Sequence, residues 1–451
     1  MMLATVFPFI RLFYVAKIER FRIETSSRPI EASFVMRRST QAPLLDVLII
    51  GGGPSGSAAG AALARAGKTV RILEPSDFLK PRIGESLLPA CNPLLKKIGA
   101  WETVKAAGFI RKYGAEFETA DGETRVHNVF SEGLVDGQDY TFQVERPRFD
   151  RLLLQHAVGL GCELDSTSEI SRVQAHPNHL ELLTKAGERL QSRWLIDASG
   201  RRQFLGKHWK LATESNPYPS RVAVFNHFRK VERADGPAGG NIIITRQKDG
   251  WFWQIPISRE TTSVGFVDLS ERMRRSKTRP RAWFDLNVKN TPSLAKRLKH
   301  AEPIDDFKTT TDYAHMFENF CGGRFFLVGD AATFSDPIFS SGVYLGLESA
   351  VAASEAIINA GDASLSTKSQ RQYTKQLKKR TQIMRELIDI FYSDTGFAVF
   401  MAPTNKLKLF AAVNSVVAGN TRPDFPVRWR YQLFKMICRW NRHYRLAPRI
   451  L

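Results

Sequence analysis

The stretch "LLDVLIIGGGPSGSAAGAALARAGKTVRILEP", residues 44–75, decides how this chain folds. Its first seven residues form a short apolar run suited to a buried parallel strand, and "KTVRILEP" reads as a second strand. Between them Gly51, Gly53 and Gly56 satisfy GxGxxG, with Ser55 in the same turn, and a small-residue helix follows. The first glycine allows a tight turn, and the second lets backbone approach a pyrophosphate. The third lets helix and strand pack closely, with phosphate at the positive helix end. Glu74 closes the second strand at a distance suited to the hydroxyl pair of a ribose. The unit predicts a doubly wound α/β sheet that binds a nucleotide.

Further along, "RPRFDRLLLQHAVGLG" reads as a helix and "SRWLIDASG" as a strand running into a glycine turn. Residues 220–270 alternate strongly ("RVAVFNHF", "NIIITRQKDGWFWQIPI", "TTSVGFVDLS"), the pattern of antiparallel strands. "RFFLVGDAATFSDPIFSSGVYLGLESA" returns to a buried strand, a loop and a helix. A strand that delivers Gly329 and Asp330 suits a carboxylate bonded to a ribityl chain. The helix start at Gly342 and Val343 offers N–H groups to an isoalloxazine carbonyl.

With 451 residues, 43% hydrophobic and 24% charged, the chain has ordinary globular composition. The four cysteines are far apart in sequence and lack zinc-like or CxxC spacing. They predict a reduced, cytoplasmic protein with no disulfide framework and no metal site. A formal charge of +20 predicts anionic partners. Ten Lys/Arg face a single acid, Asp424, from Met401 to Leu451. That basic aromatic tail reads either as a terminal helix with one apolar face on the core or as a peripheral membrane contact. No nucleic-acid module is present.

Strand, Gly-Asp, loop and helix, late in a chain that opens on GxGxxG, resemble the FAD-binding fold of the aromatic hydroxylases. That likeness puts Arg146, in "VERPRFDRLL", on the adenosine or phosphate side of the cofactor. Four further blocks, "KPRIGESLLP", "GFIRKYGAEF", "GWFWQIP" and "SDPIFSSGV", resemble the flavin-dependent halogenases in that family's order, from about residue 46 to 400. The branch they resemble acts on phenol- and pyrrole-type substrates. The fold implied is a Rossmann-like FAD domain over 43–365, with a substrate-binding antiparallel sheet interleaved at about 80–145 and 205–310. A poorly ordered extension over 1–42 precedes it and a basic helical region over 366–451 follows.

The resemblance also implies the site. Arg82, Ser86, Pro337, Gly342 and Val343 join Gly51, Gly53, Ser55, Gly56, Glu74, Arg146, Gly329 and Asp330 on FAD, used as FADH2 with O2. Backbone N–H groups at Ser341 and Gly342 form a nest for chloride or bromide. In a strand Trp251, Trp253 and Ile255 share one face, and Pro256 ends it. In the family this block stands between flavin and substrate, so that hypohalous acid alone passes along a tunnel to Lys112. Read alone, the block is a core aromatic strand and Lys112 a solvated surface residue. Phe339 stands where the tryptophan-halogenating branch has a glutamate, which implies a more electron-rich ring than tryptophan's. Glu116, His127 and His227 are the candidates for a base. No second GxGxxG follows a strand, so no nicotinamide site is expected in the chain: either NAD(P)H binds transiently, as in the hydroxylases, or reduced flavin arrives from a separate NAD(P)H-dependent flavin reductase. The substrate is a free aromatic molecule or one tethered to an acidic carrier protein. The competing function is an FAD-dependent monooxygenase or a geranylgeranyl-reductase-like oxidoreductase, acting on an aromatic or lipid substrate without halide.

Overall fold

The computed structural model describes residues 44–76, 83–216, 218–311, 314–448 and 450. The extension expected over 1–42 and the expected cofactor residue Arg82 lie outside them. The chain begins with β1 (Leu44–Ile50), α1 (Pro54–Arg65) and β2 (Val70–Leu73), followed by β3 (Ile110–Lys112), β4 (Gly114–Thr119), β5 (Arg125–Val129) and β6 (Thr141–Gln143). Then come α2 (Arg146–Gly159), β7 (Glu163–Asp165), β8 (Ile170–Ala175), β9 (Leu180–Thr184) and β10 (Arg189–Asp197). The middle of the chain holds β11 (Arg221–Arg229), β12 (Ile242–Arg246), β13 (Trp251–Pro256), β14 (Thr261–Leu269), β15 (Glu302–Pro303) and β16 (Lys308–Thr311). After β17 (His315–Met316) and β18 (Phe325–Leu327) the long helices are α3 (Ser341–Ala360), α4 (Thr367–Tyr392), α5 (Asp394–Phe400), α6 (Leu409–Val417) and α7 (Phe425–Tyr444).

Among the described residues the strands make two large sheets. The first runs β7-β2-β1-β10-β9-β8, with β18 also paired to β10. Its nucleotide-binding half is parallel: β1 lies between β2 and β10, and β10 runs parallel to β18. Val47, Leu48 and Ile49 of β1 are fully enclosed, which is why that strand reads as an unbroken apolar run. The second sheet runs β15-β11-β14-β13-β12-β4-β5. Its pairings from β11 to β12 are antiparallel, as the alternation predicts, whereas β12 and β4 pair in parallel.

Period-two alternation divides the residues of the second sheet between two cores. Phe117, Phe225, Trp251, Trp253 and Ile255 face the C-terminal helices, whereas Phe252, Phe266 and Phe284 pack on the opposite side. Pro256 is the last residue of β13, opposite Thr262, where a missing N–H interrupts no longer ladder. Trp253 has room because its cross-strand partner is Gly265. A Cβ there would lie 2.2 Å from the indole.

The basic tail is helical. α7 buries Val427, Tyr431, Phe434 and Cys438 in the core of the Trp face, at spacings that make one stripe. Among the described residues no helix is long and apolar enough to cross a membrane.

Gly265→Ala should force the Trp253 ring aside and destabilise the protein by about 1–3 kcal/mol, the usual range for overpacking a core. A denaturant midpoint that matches the parent's, with near-UV dichroism unchanged, would show that Trp253 is not packed as described.

Candidate active site

Residues expected on the cofactor meet at the ends of two helices. Gly51 holds φ +103°, a conformation that a side chain disfavours, in the turn after β1. Its neighbour Gly52 donates its N–H to Glu74 Oε2 at 2.7 Å, and Ser76 donates to Oε1 at 3.0 Å. The carboxylate of Glu74 therefore secures the loop. Late in the chain Gly329 and Asp330 follow β18, and the Gly329 N–H donates to Ser349 Oγ at 2.9 Å. A Cβ at Gly329 or at Gly346 would meet Ser55 Oγ at 2.4 or 2.5 Å. Those absent side chains let the first and last nucleotide motifs touch.

Both helix starts lack a side-chain cap. Gly53 precedes α1 and Ser340, in the left-handed region, precedes α3, and neither bonds the helix's first N–H groups. By contrast Ser366, Ser393 and Asp424 cap α4, α5 and α7. Two bare N-termini suit a pyrophosphate and a polar ring edge. Above Gly342 a Cβ would touch only the Phe334 ring, at 3.4 Å. Burial pushes the Asp330 carboxyl up to about 6, against the pull of Arg146 and Arg201. In these respects the residues present fit FAD.

Arg146 is turned to a structural task. It forms a buried pair with Asp150 at 2.8 and 2.9 Å and donates to the Ile83 carbonyl at 2.7 Å. It thereby holds the segment that carries Gly84, next to Arg146 and Val343. Ser86, expected on the cofactor, accepts a hydrogen bond from Lys112 at its hydroxyl oxygen.

Lys112 ends β3 and is 1% exposed. Its amine donates to Ser86 Oγ and to the Leu87 carbonyl, each at 2.9 Å, and lies 5.3 Å from the Phe130 ring centre. Burial lowers its pKa to about 7, with Cys91 opposing weakly. Arg111 lies apart from this pocket: alternation turns that side chain outward, 5.3 Å over the Tyr140 ring. α6 closes this region from above, since Ala90 donates to the Ala418 carbonyl at 3.2 Å and Leu134 to Ser415 Oγ at 2.7 Å.

Trp251 and Trp253 stand with ring centres 6.0 Å apart. Both indole N–H groups are satisfied: Trp253 donates to Ser263 Oγ at 3.1 Å and Trp251 to the Tyr392 hydroxyl at 2.7 Å. Tyr392 in turn donates to Asp336 Oδ2 at 2.7 Å. Phe339, one turn later, is buried against Phe117, Phe391 and Phe400. Asp336 and Tyr392 escaped sequence reading, because nothing local ties a helix end to a strand 141 residues away.

Register separates the candidate bases. Glu116 and His127 face each other across β4 and β5 on the side away from the Trp pair, where Arg125 holds Glu116 at 2.5 Å. His227, opposite Ser263, lies on the Trp side. Its Nε2 is 2.7 Å from Oε1 of the buried Glu85.

The chain is similar to known proteins over most of its length. The model of the FAD binding domain family matches residues 44–385. The 1H-pyrrole-2-carbonyl-[peptidyl-carrier protein] chlorinase of Pseudomonas fluorescens is 34% identical over 374 residues, 77% of this chain and 83% of that protein. The tryptophan 2-halogenase of Chondromyces crocatus is 32% identical, over 71% of this chain and 63% of that one. The solved flavin-dependent brominase Bmp2 superimposes with a TM-score of 0.77 at 28% identity, covering 87% of this chain and 99% of that chain.

Lys112 makes a prediction that needs no cofactor. Its amine is neutral above about pH 7 in the folded protein, whereas the ordinary value in an unfolded chain is 10.5. Between those values the unfolded state binds more protons, so stability rises with pH across that window. Replacing it with methionine removes that titration. The stability of the parent relative to Lys112→Met should therefore climb between about pH 7 and 10 in chemical denaturation, and a difference that stays flat would refute the burial.

Proposed function

We propose, from the premise that the chain belongs to the flavin-dependent halogenases of the FAD binding domain family, that it halogenates an electron-rich aromatic ring of phenol or pyrrole type. Bound in its reduced form, FAD supplies the two electrons with which O2 converts chloride or bromide to hypohalous acid. Gly51, Gly53, Ser55, Gly56 and Glu74 would hold the dinucleotide end, Asp330 the ribityl chain, and Pro337, Gly342 and Val343 the ring.

The uncapped N–H groups of Ser341 and Gly342 favour an anion, and they seat the halide. Trp251, Trp253, Ile255 and Pro256 form the wall that keeps the substrate ring from the flavin. Lys112 receives the small oxidant on the far side, by hydrogen bond or as a haloamine. In the second case its neutral nitrogen bonds the halogen as the oxygen–halogen bond breaks, and hydroxide leaves as water with the amine's proton. The ring carbon then takes the halogen, the nitrogen–halogen bond breaks, and the ring proton returns to the amine. The observation that carries this reading is the enclosed amine of Lys112, whose hydrogen-bond partners among the described residues are neutral oxygens.

Electrons come from a separate NAD(P)H-dependent flavin reductase. The substrate arrives free or on a carrier protein, as the name of the Pseudomonas chlorinase states for that enzyme; the charge of +20 favours an acidic carrier. The reading places the reaction in the cytoplasm. Peripheral membrane contact lacks support in α7, whose apolar stripe is buried in the core.

Lys112→Ala should retain FAD and continue to consume O2, while halogenated product falls by about a hundredfold or more. The measurement is mass spectrometry of a phenol and pyrrole panel, with a flavin reductase, NADH and bromide. Undiminished product from that variant would remove Lys112 from the chemistry.

A further inference from the structure

A cleft of ≈ 190 Å³ opens beside the segment that precedes the halide nest, lined by Tyr218, Pro219, Arg221, Asp336, Ile388 and Tyr392 among others. It shares no lining residue with those assigned to FAD or with the surroundings of Lys112. Its cation is unusual. The side chain of Arg221 is only 13% exposed, and its guanidinium lies 3.7 Å from the centre of the Tyr392 ring. Its nearest carboxylate oxygen, Asp336 Oδ2, is 3.8 Å away, beyond hydrogen-bond distance. That oxygen already accepts from Tyr392, and Asp336 Oδ1 accepts from the Ile338 N–H at 3.1 Å. Among the described residues no side-chain or backbone acceptor takes a hydrogen bond from this guanidinium.

A guanidinium carries five donors, and those of Arg221 are open to a ligand that enters the cleft it lines. The Tyr392 ring beside it limits its movement, and a guanidinium is a planar fork of the kind that pairs with a carboxylate. The remaining walls combine the ring of Tyr218, Pro219, Ala314 and the enclosed Ile388 with the polar Asn216 and Ser220. The volume far exceeds a halide, which needs about the space of one water, ~30 Å³.

We infer that this cleft binds a small planar organic monoanion, with its carboxylate on Arg221 and its ring or flat body against Tyr218 and Ile388. Its wall residue Tyr392 is the one that holds Trp251, so an occupant sits one hydrogen bond from the indole wall. The inference does not depend on halogenation, because binding is measurable without turnover.

The test is calorimetric titration of the FAD-loaded full chain with benzoate, with benzamide as the uncharged isostere, and with benzoate in the presence of bromide. Benzoate should bind at least about tenfold more tightly than benzamide, and bromide at equal concentration should not displace it. Arg221→Gln should weaken benzoate about 30-fold, and Arg221→Lys, which keeps the charge but loses the fork, about tenfold. Equal binding of benzoate and benzamide, no benzoate binding, displacement by equimolar bromide, or unchanged affinity in a folded Arg221 variant would each overturn the inference. Should the variants fail to fold, the benzoate and benzamide comparison on the unaltered protein decides it.

Discussion

The architecture depends on a contact made by what two residues lack. Gly329 and Gly346 come so close to Ser55 that a methyl group on either would overlap its hydroxyl. The contact joins the start of α1, near the beginning of the chain, to the turn after β18 and to α3, nearly three hundred residues later. Two helix N-termini thereby converge on one place, each with unfilled N–H groups and a positive end. A site for a long, doubly anionic cofactor needs that convergence more than it needs any single side chain, and Glu74 and Ser349 serve it by securing the two turns.

The second constraint is parity. In β4, β5, β11 and β13 a shift of one residue would reverse which side chains meet the Trp face, and in β3 it would exchange Lys112 and Arg111. Lys112 is enclosed while its neighbour Arg111 lies against Tyr140 near the surface. Trp251 and Trp253 share a core with the C-terminal helices, while Phe252 packs on the other side. The same parity places His227 with the tryptophans and excludes Glu116 and His127.

How much of this was legible in the sequence follows from distance along the chain. The β1-α1-β2 unit, the turn at Gly329 and the shared face of Trp251 and Trp253 rest on periods of two or a few residues, and local pattern reveals them. Partners do not show in the same way. Ser86 was expected on the cofactor, and its pairing with Lys112 depends on which strand lies beside "RIGES", a matter of tertiary register. The depressed basicity of Lys112 does not show in its sequence neighbours, because burial alone accounts for its direction. The basic tail allowed two readings until α7 was seen to bury Val427, Tyr431, Phe434 and Cys438.

An indole wall is useful as a barrier only if its rings cannot swing. Packing alone leaves a large ring some rotational freedom, but a buried N–H that must keep its acceptor does not. Trp253 is anchored within its own sheet, through Ser263 on the next strand. Trp251 is anchored from outside it, through Tyr392 at the end of α4, and Tyr392 is held by Asp336. Asp336 also caps the short turn ahead of Ser340 and α3. The Trp251 half of the wall and the turn before α3 are therefore tied to one carboxylate. Through that shared anchor a helix from the C-terminal region, absent from any reading of the nucleotide motifs, is joined to the tryptophan strand.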